Sequence, residues 1–436
     1  MTRTRSRLHQ RRRRHLMQLA GPGSVLIVQS AREQLRNGDT HWPFRQDSDF
    51  WYLTGFNEPD AVLVMLPDVK GGGRSVLFLR ERDPERERWD GPRLGLEGAL
   101  EQLGMDDAFP IGDLDEIVPG MIENRDHIYY SVGRDPDFDR RVIGWRNRLR
   151  QSRRGAHAPE EFIALDHLLH EMRLIKSSEE LRLMRHAARI SANAHCRAMR
   201  VTRPGLNEAD LTAELVHEFT RHCAPAAYPP IVAGGANALV LHYIANNQPL
   251  PDDGLVLIDA GCEAEGYAAD ISRTFPVSGR FTPAQRAVYE VVLAAQRAAI
   301  DQARPGNAFA CMHETACRLL TEGLVELGLL DGDVDHLLQS GAYKRFYMHK
   351  TGHWLGLDVH DVGDYQIDGQ SRVLEKNMVT TVEPALYIGA EDDIPVEFRN
   401  IGIRIEDDIR ITDGDPEILT SQVPVQIDEI EALMRS

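Results

Sequence analysis

Two helix starts of the same design, Ser177 with Glu180 and Thr282 with Gln285, constrain the second half of this chain more than any other feature. In each, a hydroxyl can accept from the backbone three residues on while the Glu or Gln reaches back, which makes a capping box. After the first come Leu181, Met184, Ala188 and Ala192 at helical spacing, then Asn207 as the cap of a second helix carrying Leu211, Leu215 and Phe219. A strand pair over 255–275 follows. After the second, Pro283 sits in the first turn of a helix running to about Ala303; a further helix spans about 308–327 and strands fill 378–411. Helix, helix, strand pair thus occurs twice. That order predicts an internal duplication, although the residues themselves do not repeat.

Upstream the signals are shorter. VLIV (25–28), AVLVML (61–66) and SVLFL (75–79) are apolar runs of strand length bounded by Gly, Pro and Asp, with a helical stretch at Glu97–Leu103 between later ones. This reads as alternating α and β. The Arg-rich segment 138–173 contains the turn-like QSRRGAHAP, and we place a domain boundary near Arg173. A chain of 436 residues is in any case too long for one ordinary core. The start is strongly basic, with Arg3, Arg5, Arg7 and Arg11 to Arg14. Such a start can be a targeting segment, but no apolar h-region follows, so it reads as a solvated first helix.

The formal net charge of −17 repels phosphate backbones, which argues against nucleic acid as a partner. No run of apolar residues is long enough to span a bilayer; the longest stretch without Asp, Glu, Lys or Arg, His222 to Pro251, is broken by five prolines. Five cysteines (Cys196, Cys223, Cys262, Cys311 and Cys317) with no CxxC pair fit buried thiols in a reducing compartment.

The chemistry concentrates in four segments. LVLIDAGCEAEGYAADISRTFPV reads as two strands about a turn at Ala264–Gly266. A hairpin centred between Ala264 and Glu265 sets Asp259 directly opposite Asp270, with Cβ atoms roughly 4.5–5.5 Å apart. Two ionised carboxylates at that range repel and need a shared proton or a cation, unless this is a solvated turn with incidental acids. Cys262 has the opposite parity and points away as a packed thiol. HKTGHWLGLDVHD brings His349, His353 and His360 within twelve residues. The spacing of His349 and His353 is that of a zincin helix, but Lys350 stands where the Glu belongs and Gly352 weakens any helix, so a zincin is not expected. NMVTTVEPALY puts Glu383 at the end of an apolar strand that Pro384 stops. GIGIRIEDDIRIT alternates, with Ile401, Ile403 and Ile405 on one face and Arg404 and Glu406 on the other. Each acid alone reads as a solvated strand end; their joint occurrence argues for a site.

Asp259, Asp270, His353, Glu383 and Glu406, inside IDAGCE, ADISRTF, GHWLGLDVHD, VEP and GIRIED, resemble the five ligands of the pita-bread metallopeptidases: methionine aminopeptidase, prolidase and aminopeptidase P. PFRQDSDFWYLTGFNEPDAVLVM further resembles aminopeptidase P, so the likeness spans almost the whole chain. It implies an α/β N-terminal domain, 1–173, serving oligomerisation and pocket closure. It also implies an α+β catalytic pita-bread domain, 174–436, with a curved antiparallel sheet covered by helices. The cofactors implied are two divalent ions, Mn²⁺ first with Co²⁺ or Zn²⁺ as alternatives, which four carboxylates and one imidazole suit as a hard, oxygen-rich donor set. Asp270 and Glu406 would bridge, Asp259 completing one ion and His353 with Glu383 the other.

The resemblance implies further roles. Glu383 would carry a proton to the leaving nitrogen. His349 and His360 would steady the substrate and the oxyanion. His242, in VLHYIAN, would contact substrate unless it is a buried structural histidine. Arg404 would orient a carboxylate together with Tyr387. Trp89, in RWDGPRLG, would close the pocket of a neighbouring subunit unless it is a surface-packed aromatic. Lys350, Thr351 and Gly352 depart from the common pattern, and a cation beside His349 bears on that histidine's pKa or on substrate approach.

The activity implied is release of the first residue from peptides with proline second, by a cytoplasmic homodimer or homotetramer. Proline specificity comes from the resemblance alone. The rivals are a prolidase restricted to Xaa-Pro dipeptides and a non-catalytic pita-bread binding protein. Creatinase-type chemistry without metal is a third, and the intact ligand set argues against it and against the binding protein.

Overall fold

The structure is a computed structural model that describes residues 3–67, 72–151 and 157–436. By its internal contacts the chain divides into two units, Met1–Glu171 and Met172–Ser436.

In the first unit the three apolar runs become the strands Ser24–Gln29, Val62–Leu66 and Arg74–Leu79. With three shorter strands they form a six-stranded sheet in the order 107–110, 74–79, 62–66, 24–29, 127–130, 161–164. Ser24–Gln29 runs antiparallel to Val62–Leu66 and parallel to His127–Tyr130, so the sheet is mixed. Alternate strand residues Val25, Ile27, Val64 and Phe78 pack with Val118 and Trp145 of the helices Leu114–Ile122 and Pro136–Gln151. That is the layering α/β patterning predicts. Part of the expected turn in QSRRGAHAP, at 152–156, lies outside the described residues.

The basic first helix, Arg3–Ala20, is not the solvated element expected, since Arg13 is only 1% exposed. Its guanidinium donates to the Ser75 hydroxyl and to the carbonyls of Leu53, Leu103 and Gly104, while Arg12 lies over the Tyr52 ring. These acceptors replace water around the charge, which is what makes its burial tolerable. Burial still pulls the Arg13 pKa down to about 10.

In the second unit both capping boxes form, and Asn207 makes a third with Asp210. They start the helices Ser178–Val201, Glu208–Arg221 and Pro283–Asp301, and Ala310–Glu326 follows. The expected order recurs: Ile231–Gly234, Leu255–Asp259 and Ser272–Pro276 come after the first helix pair. Val379–Val382, Ala385–Ile388, Ile401–Arg404 and Asp407–Arg410 come after the second. The pairings within each set are antiparallel. The two sets meet where the Glu406 amide donates to the Ser272 carbonyl at 3.0 Å and the Thr274 hydroxyl to the Arg404 carbonyl at 3.1 Å. Ala299 and Ile300 of helix Pro283–Asp301 pack on Val382, Ile409 and Ile411. Among the described residues no helix is long and apolar enough to cross a membrane. All five cysteines are free, but only Cys262 and Cys317 are buried and Cys223 is exposed, so buried thiols hold for two of them.

The loop that carries the three histidines is anchored at its end by charge. Asp361 is buried between Arg173 Nη2 at 2.5 Å and Lys176 Nζ at 2.9 Å. Burial alone would raise its pKa, but the two cations outweigh it and hold the carboxyl below its ordinary range. A folded pKa below the unfolded value of about 3.9 stabilises the fold above that pH, and the contribution is lost as pH falls through the folded value. Asp361→Asn should therefore be less stable than the parent chain at neutral pH, with a flatter decline in acid. Urea unfolding at neutral and acid pH checks this, and equal slopes against pH would contradict it.

Candidate metal centre

The first hairpin forms one residue later than the sequence suggested. Its turn is Glu265–Gly266, both at positive φ (54° and 84°), as a two-residue I′ turn requires. Gly266 decides this, because a turn centred earlier would force Ala264 into the left-handed region. Asp259 consequently pairs with Ser272 and not with Asp270. The slip moves each partner by two residues, so parity survives and Asp270 remains on the face of Asp259 as its diagonal neighbour. Gly261 permits the close ladder here, since a Cβ at that position would lie 1.8 Å from the Ala269 carbonyl oxygen. Cys262 points the other way, its thiol 3.5 Å from the Ala187 carbonyl.

The second hairpin pairs Val382 with Asp407 and Ala385 with Arg404. One register runs through the gap that Pro384 opens, so Glu383 stands opposite Glu406. The Glu383 amide leaves the ladder and donates to the Thr351 carbonyl at 2.8 Å, tying this strand to the histidine loop. In that loop Gly352 fits against the strand where a Cβ would come 2.1 Å from the Thr381 carbonyl oxygen. The His353 amide donates to the Thr381 hydroxyl at 3.1 Å. Residues 349–353 are not helical, in keeping with the absence of a zincin motif.

These placements bring one ligand atom each of Asp270, His353 and Glu406 within 4.8 Å of one another. His353 Nε2 is 3.5 Å from Asp270 and 3.6 Å from Glu383. Asp259 joins through Tyr228, whose hydroxyl lies 2.7 Å from Asp259 and 2.5 Å from Asp270. One phenolic proton cannot serve two carboxylates at once. Burial first, then the neighbouring acids, push Asp259 up to about 6, Glu383 up to about 7 and Glu406 well above its usual range. Asp270 is held low by His353 and Tyr228 despite its burial, and those contacts with Asp270 and Glu383 carry His353 up to about 9 although burial opposes it. The cluster is short of positive charge, and its hard oxygen donors with one imidazole fit divalent cations.

A hydrogen-bonded chain supports the acids. Arg404 donates to Asp259 at 2.6 Å, to the Ser272 hydroxyl at 2.8 Å and to the Tyr387 hydroxyl at 2.8 Å. Ser272 donates in turn to Glu406 at 2.7 Å. Tyr387, having accepted from Arg404, donates to His349 Nε2 at 3.0 Å, and His349 Nδ1–H donates to the Lys350 carbonyl at 2.8 Å. Burial pulls His349 down to about 4, so the ring is neutral. Both of its nitrogens have protein partners, and the ring braces Tyr387 while lining the cavity beside the acids. Behind the acids, Arg273 is 0% exposed and donates to the Glu406 carbonyl at 2.5 Å and to Asp407 at 2.7 Å.

A cavity of about 650 Å³ opens on the acids, with His242, His360 and Tyr387 in its lining and Phe309 and Tyr365 as apolar wall. His242 is exposed, so it is not a buried structural histidine. The His360 ring lies 4.2 Å from that of His353. Trp89 is 87% exposed, neither packed on the surface nor among the residues lining this cavity. Sequence reasoning missed Tyr228, Ser272, Thr381 and Arg273. Ser272 was within reach, two residues from Asp270 on the same strand face. Tyr228, in AYPP, has neither a charge nor a periodic pattern to mark it.

The profile of metallopeptidase family M24 matches residues 182–413, and that of the aminopeptidase P N-terminal domain matches residues 9–129. The Xaa-Pro aminopeptidase of Haemophilus influenzae is 47% identical over 414 residues, which is 95% of this chain and 94% of the relative. Aminopeptidase PepP of Pseudomonas aeruginosa superposes with a TM-score of 0.97 at 53% identity, covering 99% of this chain and 98% of that one. Zinc-substituted Escherichia coli aminopeptidase P in complex with product superposes with a TM-score of 0.96 at 46% identity, covering 99% and 98%.

Proposed function

The chain belongs to metallopeptidase family M24, in its aminopeptidase P group, and we propose that its five converging residues hold two divalent ions with which it releases the first residue of peptides carrying proline second. It is a metallo-aminopeptidase of Xaa-Pro peptides. The observation that supports the ion pair best is the shortage of positive charge among Asp259, Asp270, Glu383 and Glu406 around His353. Divalent ions held there supply an activated water near neutral pH and a Lewis acid for the scissile carbonyl.

The chain's own residues divide the remaining work. Asp259, Asp270, His353, Glu383 and Glu406 would hold the ions, with Asp270 and Glu406 central to the set. Glu383 takes the proton of the attacking water and returns it to the proline nitrogen, which cannot leave as an anion. His360 and His242 face the cavity with no hydrogen bond to another described residue, and they are free to donate to substrate and to the oxyanion. His349 braces Tyr387 and, through it, Arg404, which keeps Asp259 aimed. We assign Mn²⁺ as the working ion and a cytoplasmic homodimer or homotetramer as the working state. In that assembly residues 1–173 supply subunit contacts, and the exposed Trp89 closes a neighbour's pocket.

Chelated enzyme, titrated with Mn²⁺, Co²⁺ and Zn²⁺ on an Xaa-Pro-Xaa tripeptide, tests the assignment. Turnover should be absent without metal and return most fully with Mn²⁺. No turnover with any of the three ions would sink it, and hydrolysis of dipeptides alone would make the enzyme a prolidase.

A further inference from the structure

We propose that Lys350 makes the outer wall of the cavity a subsite for a carboxylate carried on the carboxyl side of the substrate's proline, so that the enzyme favours Xaa-Pro peptides whose third residue is acidic or ends the chain. This rests on the Xaa-Pro aminopeptidase reading above.

The charge inventory of the cavity leads there. Four of its acids belong to the ion site, and Arg404 is committed to Asp259, Ser272 and Tyr387. Two charged lining residues remain, Lys350 and Glu314, and among the described residues neither forms an ion pair or a side-chain hydrogen bond. Lys350 rises from a fixed stretch of backbone. Its carbonyl accepts from His349 Nδ1–H at 2.8 Å, and the next residue, Thr351, is buried and accepts from the Glu383 amide at 2.8 Å. The anchored backbone keeps the lysine stem at the cavity, three residues from His353, while its flexible chain lets the ammonium reach a charge bound there.

Lys344 adds charge from the same side. Burial first, then both ammoniums, lower the pKa of His313 to about 4, so this part of the wall presents lysine charge and no imidazolium. The polarity of the peptide then decides which end lies here. The free ammonium of the first residue is repelled by Lys350, whereas a carboxylate beyond the proline is attracted. Glu314, on the same wall, opposes the effect in part.

The metal-loaded enzyme is assayed on Ala-Pro-Glu-amide, Ala-Pro-Gln-amide and Ala-Pro-Lys-amide, where only the side-chain charge varies, and on Ala-Pro-Ala as free acid and as amide. The parent enzyme should prefer Glu over Lys by up to about fivefold in kcat/KM at low salt, expressed mainly in KM because the contact is the same in ground and transition states. High salt should shrink the preference. Lys350→Met should flatten it, Lys350→Glu should invert it, and Glu314→Gln should deepen it. Calorimetric binding of Pro-Glu-amide and Pro-Lys-amide should give the same order without turnover. A response of the amide series alone identifies an acidic side chain as the source, and a response of the acid–amide pair alone identifies the terminal carboxylate; either supports the subsite. The same order in the parent and in Lys350→Glu would overturn it while leaving the peptidase assignment intact. No hydrolysis of any of these peptides would overturn both.

Discussion

Glu406→Ala should yield a folded chain that has lost at least about 10³-fold in kcat/KM on an Xaa-Pro tripeptide. Glu406 stands opposite Glu383, shares a 4.8 Å group with Asp270 and His353, and is held by the Ser272 hydroxyl. In the proposed ligand set its loss would remove a carboxylate that holds the ions, which would supply several kcal/mol of transition-state stabilisation, so adding metal should not rescue the rate. The fold should survive because Glu406 is one of several buried acids that repel one another, and removing one relieves that repulsion. Thermal unfolding provides the independent readout. Mn²⁺ should raise the Tm of the parent chain and leave that of the variant almost unchanged, since only a ligand that binds the native state stabilises it. Activity within tenfold of the parent would remove Glu406 from the ligand set.

Asp407→Ala, one residue away, should behave in the opposite manner and strongly destabilise the catalytic unit. The Asp407 carboxylate accepts from Arg273 at 2.7 Å, from Gln296 at 2.7 Å and from the Thr420 hydroxyl at 2.5 Å. Both members of the ion pair are buried, at 0% and 4% side-chain exposure. Removing the acid leaves a guanidinium in the interior without its counter-charge, at a cost of about 3–5 kcal/mol. The double variant Arg273→Met with Asp407→Leu should be less destabilised than Asp407→Ala, because no charge is then stranded. Urea unfolding of the single and double variants measures this. A double variant no more stable than the single one would mean that packing, and not the stranded charge, sets the cost. The same guanidinium holds the Glu406 carbonyl, so the two neighbouring acids separate chemistry from support.

The elements were legible where a local rule governs them. Three helix caps and the strand-length apolar runs needed only hydrogen-bond reach and periodicity, and they appear within a residue or two of where those rules put them. The first hairpin shows how such a rule can miss the register yet keep the face. Gly266 moved the turn, but a slip of two residues returns every side chain to the same side. The basic first helix was misread because composition cannot tell a solvated arginine from Arg13, whose acceptors come from segments far away in the chain.

The sequence by itself determined which strand ends and which glycine-containing loop carry the acids and histidines, because strand parity and the stop at Pro384 are local, and it was the resemblance to the pita-bread metallopeptidases that joined five of them into one proposed ligand set. Only the tertiary structure decided how they are held: Tyr228 between two acids, Arg404 linking Asp259 to Tyr387, and Tyr387 joined in turn to His349. Those contacts depend on distances between segments remote in sequence, and no local periodicity encodes such distances. They arise where two hairpins and a loop pack against one another, and the excess negative charge gathered there is what calls for the metal.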